Sequence, residues 1–170
     1  MKRVVLLLVI SLVFILIFPL VSASIIIQQN PNALYNLGNT ISVPVKITSL
    51  TESGEVFTIN LICNGAEIEI HKENIFIAAG GEAERNPPIP LIKNFIGDSK
   101  GTCRIRYSFG SEAKLSNEFI ISDLINTNII SQEKDFAPEQ QITIEGEAKK
   151  ENGEFVNGFI EMELSQEDES

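Results

Sequence analysis

VFTINLIC, residues 56–63, and GTCRIRYSFG, residues 101–110, decide how this chain folds. Successive side chains of a strand face opposite sides, so positions of equal parity share a face. Phe57, Ile59, Leu61 and Cys63 therefore line one side of the first stretch. Cys103, Ile105, Tyr107 and Phe109 line one side of the second, while Arg104, Arg106 and Ser108 point the other way. Each stretch predicts a strand with one apolar face, and each sets one of the chain's 2 cysteines on that face.

The same period of two runs outward from these strands. In LGNTISVPVKITSL (37–50), Ile41, Val43, Val45 and Ile47 alternate with Ser42, Pro44, Lys46 and Thr48. Pro44 has no amide hydrogen, which predicts an edge strand or a bulge there. AEIEIHKENIFIAAGG (66–81) reads as two short strands, Glu67 to His71 and Asn74 to Ala78. Further strands are expected at Ile89 to Lys93, Gly101 to Phe109 and Asn117 to Ser122. Ser53-Gly54, Asn64-Gly65, Gly80-Gly81, Asn86-Pro87-Pro88 and Gly97-Asp98 punctuate them as turns. No helical period is sustained anywhere after residue 23. About seven or eight short strands with such regular turns predict an all-β chain, a two-sheet antiparallel sandwich over 24–127.

The N-terminus predicts export. Met1-Lys2-Arg3 brings two positive charges, Val4 to Phe18 is apolar apart from Ser11, Pro19 follows, and Val21-Ser22-Ala23 ends in small residues. That is the layout of a signal peptide over residues 1–23, with cleavage expected between Ala23 and Ser24. An uncleaved membrane anchor is the alternative, since the apolar run approaches the ~20 residues that span a bilayer. Ser24 is not a cysteine, so lipid attachment at that position is not expected. No Asn-x-Ser/Thr triplet occurs. In an oxidising compartment two thiols on the inward faces of one domain are expected to join, so Cys63 and Cys103 are read as a structural disulfide. Closing a loop of that size is worth about 4 kcal/mol in a chain-entropy model.

Beyond the signal segment the charges number 11 Lys+Arg against 23 Asp+Glu, and 12 of the acidic groups lie after residue 127. No basic cluster is present to track a phosphate backbone or an anionic bilayer, so nucleic acid is excluded as a partner and a membrane enters only through the signal segment or an anchor outside this chain.

On these residues the segment 24–127 resembles the immunoglobulin-like sandwiches of cell-surface and secreted proteins, through an early strand cysteine, Cys63, paired with a late one, Cys103. The resemblance implies the sandwich architecture and no particular activity. The chain departs from that pattern in two places: Gly101 stands where a tyrosine is usual two residues before the second cysteine, and there is no tryptophan.

After a linker at 128–135, residues 136–170 read as a second β-unit. Ile142, Ile144 and Ala148 alternate with Thr143, Glu145 and Glu147; after KKENGE, Val156, Ile160, Met162 and Leu164 alternate with Asn157, Phe159, Glu161 and Glu163. This is a hairpin with one apolar and one acidic face. The spacing of Phe136, Pro138, Gly146, Gly153, Val156 and Gly158 looks like the opening of repeated surface modules such as macroglobulin-type domains, with Glu139 in place of the usual glycine. The hairpin is read as the start of an incomplete second domain; docking on the first sandwich or on another molecule, and absence of fixed structure, are the alternatives. The first reading expects 24–127 to fold without 128–170, with a stability change within about 0.5 kcal/mol.

Little in the chain points to reactive chemistry. It has a single histidine, His71, with Lys72 and Glu73 beside it and no CxxC, so neither a nucleophile–base pair nor a metal site is expected. Gly80-Gly81 is followed by Glu82 and Glu84, which repel phosphate. Calcium is disfavoured because carboxylates alternate along strands (Glu67/Glu69, Glu145/Glu147, Glu161/Glu163) instead of gathering in a loop. No catalytic, cofactor-binding or metal residue is assigned. The expected function is that of a non-enzymatic, exported structural or adhesive module with an unknown protein or cell-surface partner. A protein-binding module, either a protease inhibitor or an edge-strand binder, is the alternative, and a hydrolase comes third.

Overall fold

A computed structural model describes residues 23–130, 143–159 and 161. The described residues are all-β apart from one helical turn. Its strands, in order, are β1 (Ala23–Ile27), β2 (Leu34–Asn36), β3 (Thr40–Ile41), β4 (Val45–Ser49), β5 (Ser53–Cys63), β6 (Ala66–Ile77), β7 (Glu82–Arg85) and β8 (Ile89–Pro90). The turn α1 (Lys93–Ile96) leads to β9 (Gly101–Phe109), β10 (Glu112–Leu115), β11 (Phe119–Ser122), β12 (Ile125–Ile130) and β13 (Glu145–Lys150).

One sheet runs β1-β4-β7 and the larger runs β2-β11-β9-β5-β6, with β10 also paired to β9. The inward residues of both contribute to one core: Ile25, Val45 and Ile47 from the first, and Phe57, Ile59, Leu61, Ile105, Tyr107, Phe109, Phe119 and Ile121 from the second. The parity read from 56–63 and 101–110 is the parity observed, because every residue assigned inward is buried. Phe57 stacks on Tyr107, with ring centroids 6.4 Å apart, and Tyr35 meets Phe119 edge-on at 5.7 Å. Rings so placed add somewhat to the burial of their area, the main source of stability here.

Pro44 marks neither an edge strand nor a bulge: it lies between two strands, and the one that follows it, β4, is central in its sheet. The backbone leaves the extended ladder between β3 and β4, and the two halves go to different partners, β3 to β8 and β4 to β1 and β7. Val43 stays buried across the break.

Elsewhere the elements depart from the periodicity. The two strands expected within 66–78 form one strand, β6, paired with β5 along its length. Its register shifts opposite Ile59/Asn60, leaving Ile70 as an extra residue. That bulge explains why the buried side changes parity, from Ile68 and Ile70 to Ile75 and Ile77. Ser53-Gly54 is not a turn but the start of β5. The strand expected to Lys93 ends at Pro90 and gives way to α1, whose Ile96 is buried. β1, β2, β7 and β10 were not foreseen. The chain alongside β9 is split into β10 and β11 because five residues from Leu115 to Phe119 face four from Arg106 to Cys103. Ser116 bridges the irregularity: its amide donates to the Ile105 carbonyl and its hydroxyl accepts from the Ile105 amide, both at 2.9 Å.

The C-terminal part also differs from its sequence reading. β12 spans Ile125–Ile130, so the expected boundary at 127 runs through a strand, and β13 pairs with β12 in a separate two-stranded sheet. A bridge of Lys149 to Phe155 and a hydrogen bond from the Val156 amide to the Ala148 carbonyl (3.1 Å) place 154–156 along the other side of β13. The hairpin turn over KKENGE is therefore present, and Ala148 and Val156 share a face. Residues 1–22, most of the linker and Phe136, Pro138, Ile142, Ile160, Met162 and Leu164 lie outside the described residues.

Candidate interaction site at the junction

Cys63 and Cys103 are joined, with Cα atoms 4.1 Å apart. The two residues face each other directly on neighbouring strands, β5 and β9. The Asn64 amide donates to the Thr102 carbonyl at 3.0 Å one step further on, which makes 63/103 the close, non-hydrogen-bonded kind of pair. The bridge thus lies within one sheet. In this the chain departs from the immunoglobulin pattern, in which the bridge ties the two sheets together.

Gly101, the position that departs from that pattern, has a local reason. Asn64 and Gly65 form the two-residue turn between β5 and β6, both at positive φ (49° and 86°). The Asn64 side chain donates to the Lys100 carbonyl at 3.0 Å. A Cβ on Gly101, itself at φ 86°, would stand 2.8 Å from Asn64 Nδ2. A tyrosine there would push the Asn64 side chain off the Lys100 carbonyl. Ala23 and Ser24 both lie in β1, opposite Ser49 and Thr48.

The junction between the main body and the β12–β13 ribbon concentrates the polar contacts. Asn36, 2% exposed at the end of β2, uses its whole amide. Its Nδ2 donates to the carbonyls of Ser122 (3.3 Å) and Leu124 (3.4 Å), and its Oδ1 accepts from the Asn152 amide at 3.0 Å. Asn39 Oδ1 accepts from the Asn36 amide (2.7 Å) and from Asn152 Nδ2 (3.2 Å), and Asn39 Nδ2 donates to Glu154 (2.9 Å). Lys150 completes the cluster, 3.2 Å from Glu154. Hydrogen bonds from Asn39, then from Lys150 and Asn152, hold the Glu154 carboxyl below its ordinary value. A cavity of about 420 Å³ opens beside this clasp, lined by Leu37, Leu124, Ile125, Phe155 and Val156 with Lys150 at its edge. A smaller one of about 220 Å³ adjoins it, where Lys100 and Asp123 form an ion pair of 2.5 Å. That pair lowers the Asp123 carboxyl and raises the Lys100 ammonium. The clasp was missed because its parts are ordinary turn residues, Asn36-Leu37-Gly38-Asn39 and Asn152-Gly153, whose distance in sequence hides their contact.

His71 is not isolated. The bulge of β6 turns it and Glu73 toward the sandwich edge, where Glu73 Oε1 accepts from Arg85 Nε at 2.9 Å and lies 3.2 Å from His71 Nε2. This links the outer strands of the two sheets, β6 and β7. Among the described residues the hydrogen-bond partner of His71 is this carboxylate, which Arg85 holds from the other side. Among the described residues no three His, Cys, Asp or Glu side chains converge to hold a metal ion, and no helix is long and apolar enough to cross a membrane.

No family model matches the chain, and no curated protein matches it. Solved structures do share part of its backbone. A β-glucosidase from Listeria innocua in complex with gluconolactone is 15% identical with a TM-score of 0.50, over 60% of this chain and 16% of that one. The Pseudomonas fluorescens alkylpurine DNA glycosylase AlkC, bound to DNA containing an abasic site analog, is 15% identical with a TM-score of 0.51, over 59% and 30%. This chain matches less than a third of either protein, and the two differ in activity, so the likeness concerns the fold alone.

Proposed function

We propose that this chain is an exported, non-enzymatic β-sandwich module of immunoglobulin-like type, a structural or adhesive building block of a cell-surface or secreted protein. The observation that carries this reading is the clasp. A second β-unit is tied to the first by Asn36, Asn39, Asn152 and Glu154, which suits a module whose work is to hold neighbours in place. Strand order supports the immunoglobulin-like assignment. Taking β1, β4, β5, β6, β7, β9 and β11 as strands A, B, C, C′, E, F and G, the sheets contain A-B-E and G-F-C-C′, as in that architecture. The disulfide is compatible with an oxidising destination.

Fractionation of expressing cells tests the reading. The protein should leave the cytoplasm, begin at Ser24 on N-terminal sequencing, and contain no thiol that alkylates before reduction. Recovery in the cytoplasm with Cys63 and Cys103 both alkylated would overturn it. So would turnover of a substrate that Glu73→Gln abolishes, because Glu73 then belongs to an active site.

A further inference from the structure

β12 carries β13 on one side, and among the described residues no strand lies along its other side. Proteins usually guard such edges with charge, proline or a bulge. The edge strand β6 obeys this rule, with its bulge at Ile70 and with Glu67, Glu69, Lys72 and Glu73 along it. β12 does not. Leu124 to Ile130 contains no charged residue, proline or glycine, in a chain of net charge −10. All six residues of the strand are exposed, Ile125 to 54% and Ile129 to 65%. A short, uncharged segment of high strand propensity on an open edge is the kind that pairs with another strand.

The sequence of that edge indicates which strand. Ile125-Asn126-Thr127-Asn128-Ile129 reads the same in both directions. Antiparallel pairing reverses the direction of the partner, so a two-fold axis at Thr127 would set Ile125 against Ile129 of a second copy. The same axis sets Asn126 against Asn128 and Thr127 against Thr127. Every position meets its own kind: aliphatic pairs on the side that Ala148 and Val156 share, amides on the other. A second copy is as acidic as the first, so the place where the two touch must itself be free of charge, and this one is.

We propose that the open edge of β12 is a self-recognition surface on which a second copy of this chain adds its own β12, antiparallel, about a two-fold axis at Thr127. The contact is isologous and closes on itself, giving a dimer and not a filament. Two ribbons then form one continuous sheet, and the two main bodies project from its opposite ends.

Sedimentation equilibrium of the purified protein from roughly 1 μM to 1 mM should show a monomer–dimer equilibrium. Thr127→Lys puts two ammonium groups on the axis and should raise the dimer Kd at least roughly tenfold; Thr127→Glu should do the same with two carboxylates. An equimolar mixture of the two variants should recover association, because lysine then faces glutamate. Asn74→Lys, on the edge of β6, should leave the Kd unchanged. Unaltered circular dichroism and Tm in each variant exclude unfolding as the cause. The proposal is overturned by a monomer throughout the range, by a dimer that Thr127→Lys does not weaken, by a mixture that fails to associate, or by a dimer that Asn74→Lys abolishes.

Discussion

Gly101 and Tyr107 show how one residue carries a local argument. Gly101 combines a positive φ with a close approach to the Asn64 amide, so Gly101→Ala is strained twice over. We expect a loss of about 1–3 kcal/mol, read from denaturant midpoints. Tyr107 is fully buried and, among the described residues, its hydroxyl has no hydrogen-bond partner. Tyr107→Phe removes that unsatisfied group while keeping the ring against Phe57, and should be neutral or stabilising by about 1 kcal/mol. Burial also raises the Tyr107 phenol above its ordinary value of 10.0. A raised acid group favours the folded state fully below its unfolded value, and this contribution is lost as pH climbs beyond 10.0. Wild-type protein should therefore lose stability above that pH more steeply than Tyr107→Phe, as followed by chemical denaturation across alkaline pH.

At the scale of elements the ribbon and its clasp offer the clearest test. Asn36→Ala removes the acceptor of the Asn152 amide and the donor to Ser122 and Leu124. Amide exchange in β12 and β13 should accelerate, while exchange in β5 and β9, braced by the disulfide and the core, should stay slow. Equal acceleration everywhere would mean that Asn36 supports the whole fold and not the joint. The joint should also respond to acid. Glu154 titrates below its ordinary value of 4.5 in the folded chain, so its contribution is complete above that pH and is lost as pH falls through the lowered value. Side-chain amide resonances of Asn39 and Asn152 should move together over that interval and not near neutrality.

For the whole molecule the question is how far the main body depends on the ribbon. Cutting at residue 127 severs β12, whereas stopping at Leu124 keeps the carbonyl that Asn36 uses. Removing 125–170 discards three hydrogen bonds between the ribbon and Asn36 or Asn39, two donated by Asn152 and one accepted by Glu154, and no residue of the main core. We expect a loss of about 1–3 kcal/mol, larger than the half kilocalorie anticipated for independent parts and far smaller than loss of a core face. The comparison needs the denaturant midpoints of the two forms.

The sequence by itself determined the strands whose two faces differ. Over 56–63 and 101–109 the alternation named the buried side residue by residue, because a side chain in a strand can be hidden only every second position. The disulfide followed, since Cys63 and Cys103 stand on those buried sides. The tertiary structure alone decided where the alternation breaks. The bulge at Ile70 exists because β5 fixes the register of β6, and the split at Ser116 because β9 fixes that of its neighbours. It also decided that the bridge lies within a sheet, since parity gives the side of a residue and not its partner strand. The clasp of Asn36, Asn39, Asn152 and Glu154 is of the same kind: its residues are far apart in sequence and polar, and no hydrophobic period marks them. Only the folded chain brings them within hydrogen-bonding distance.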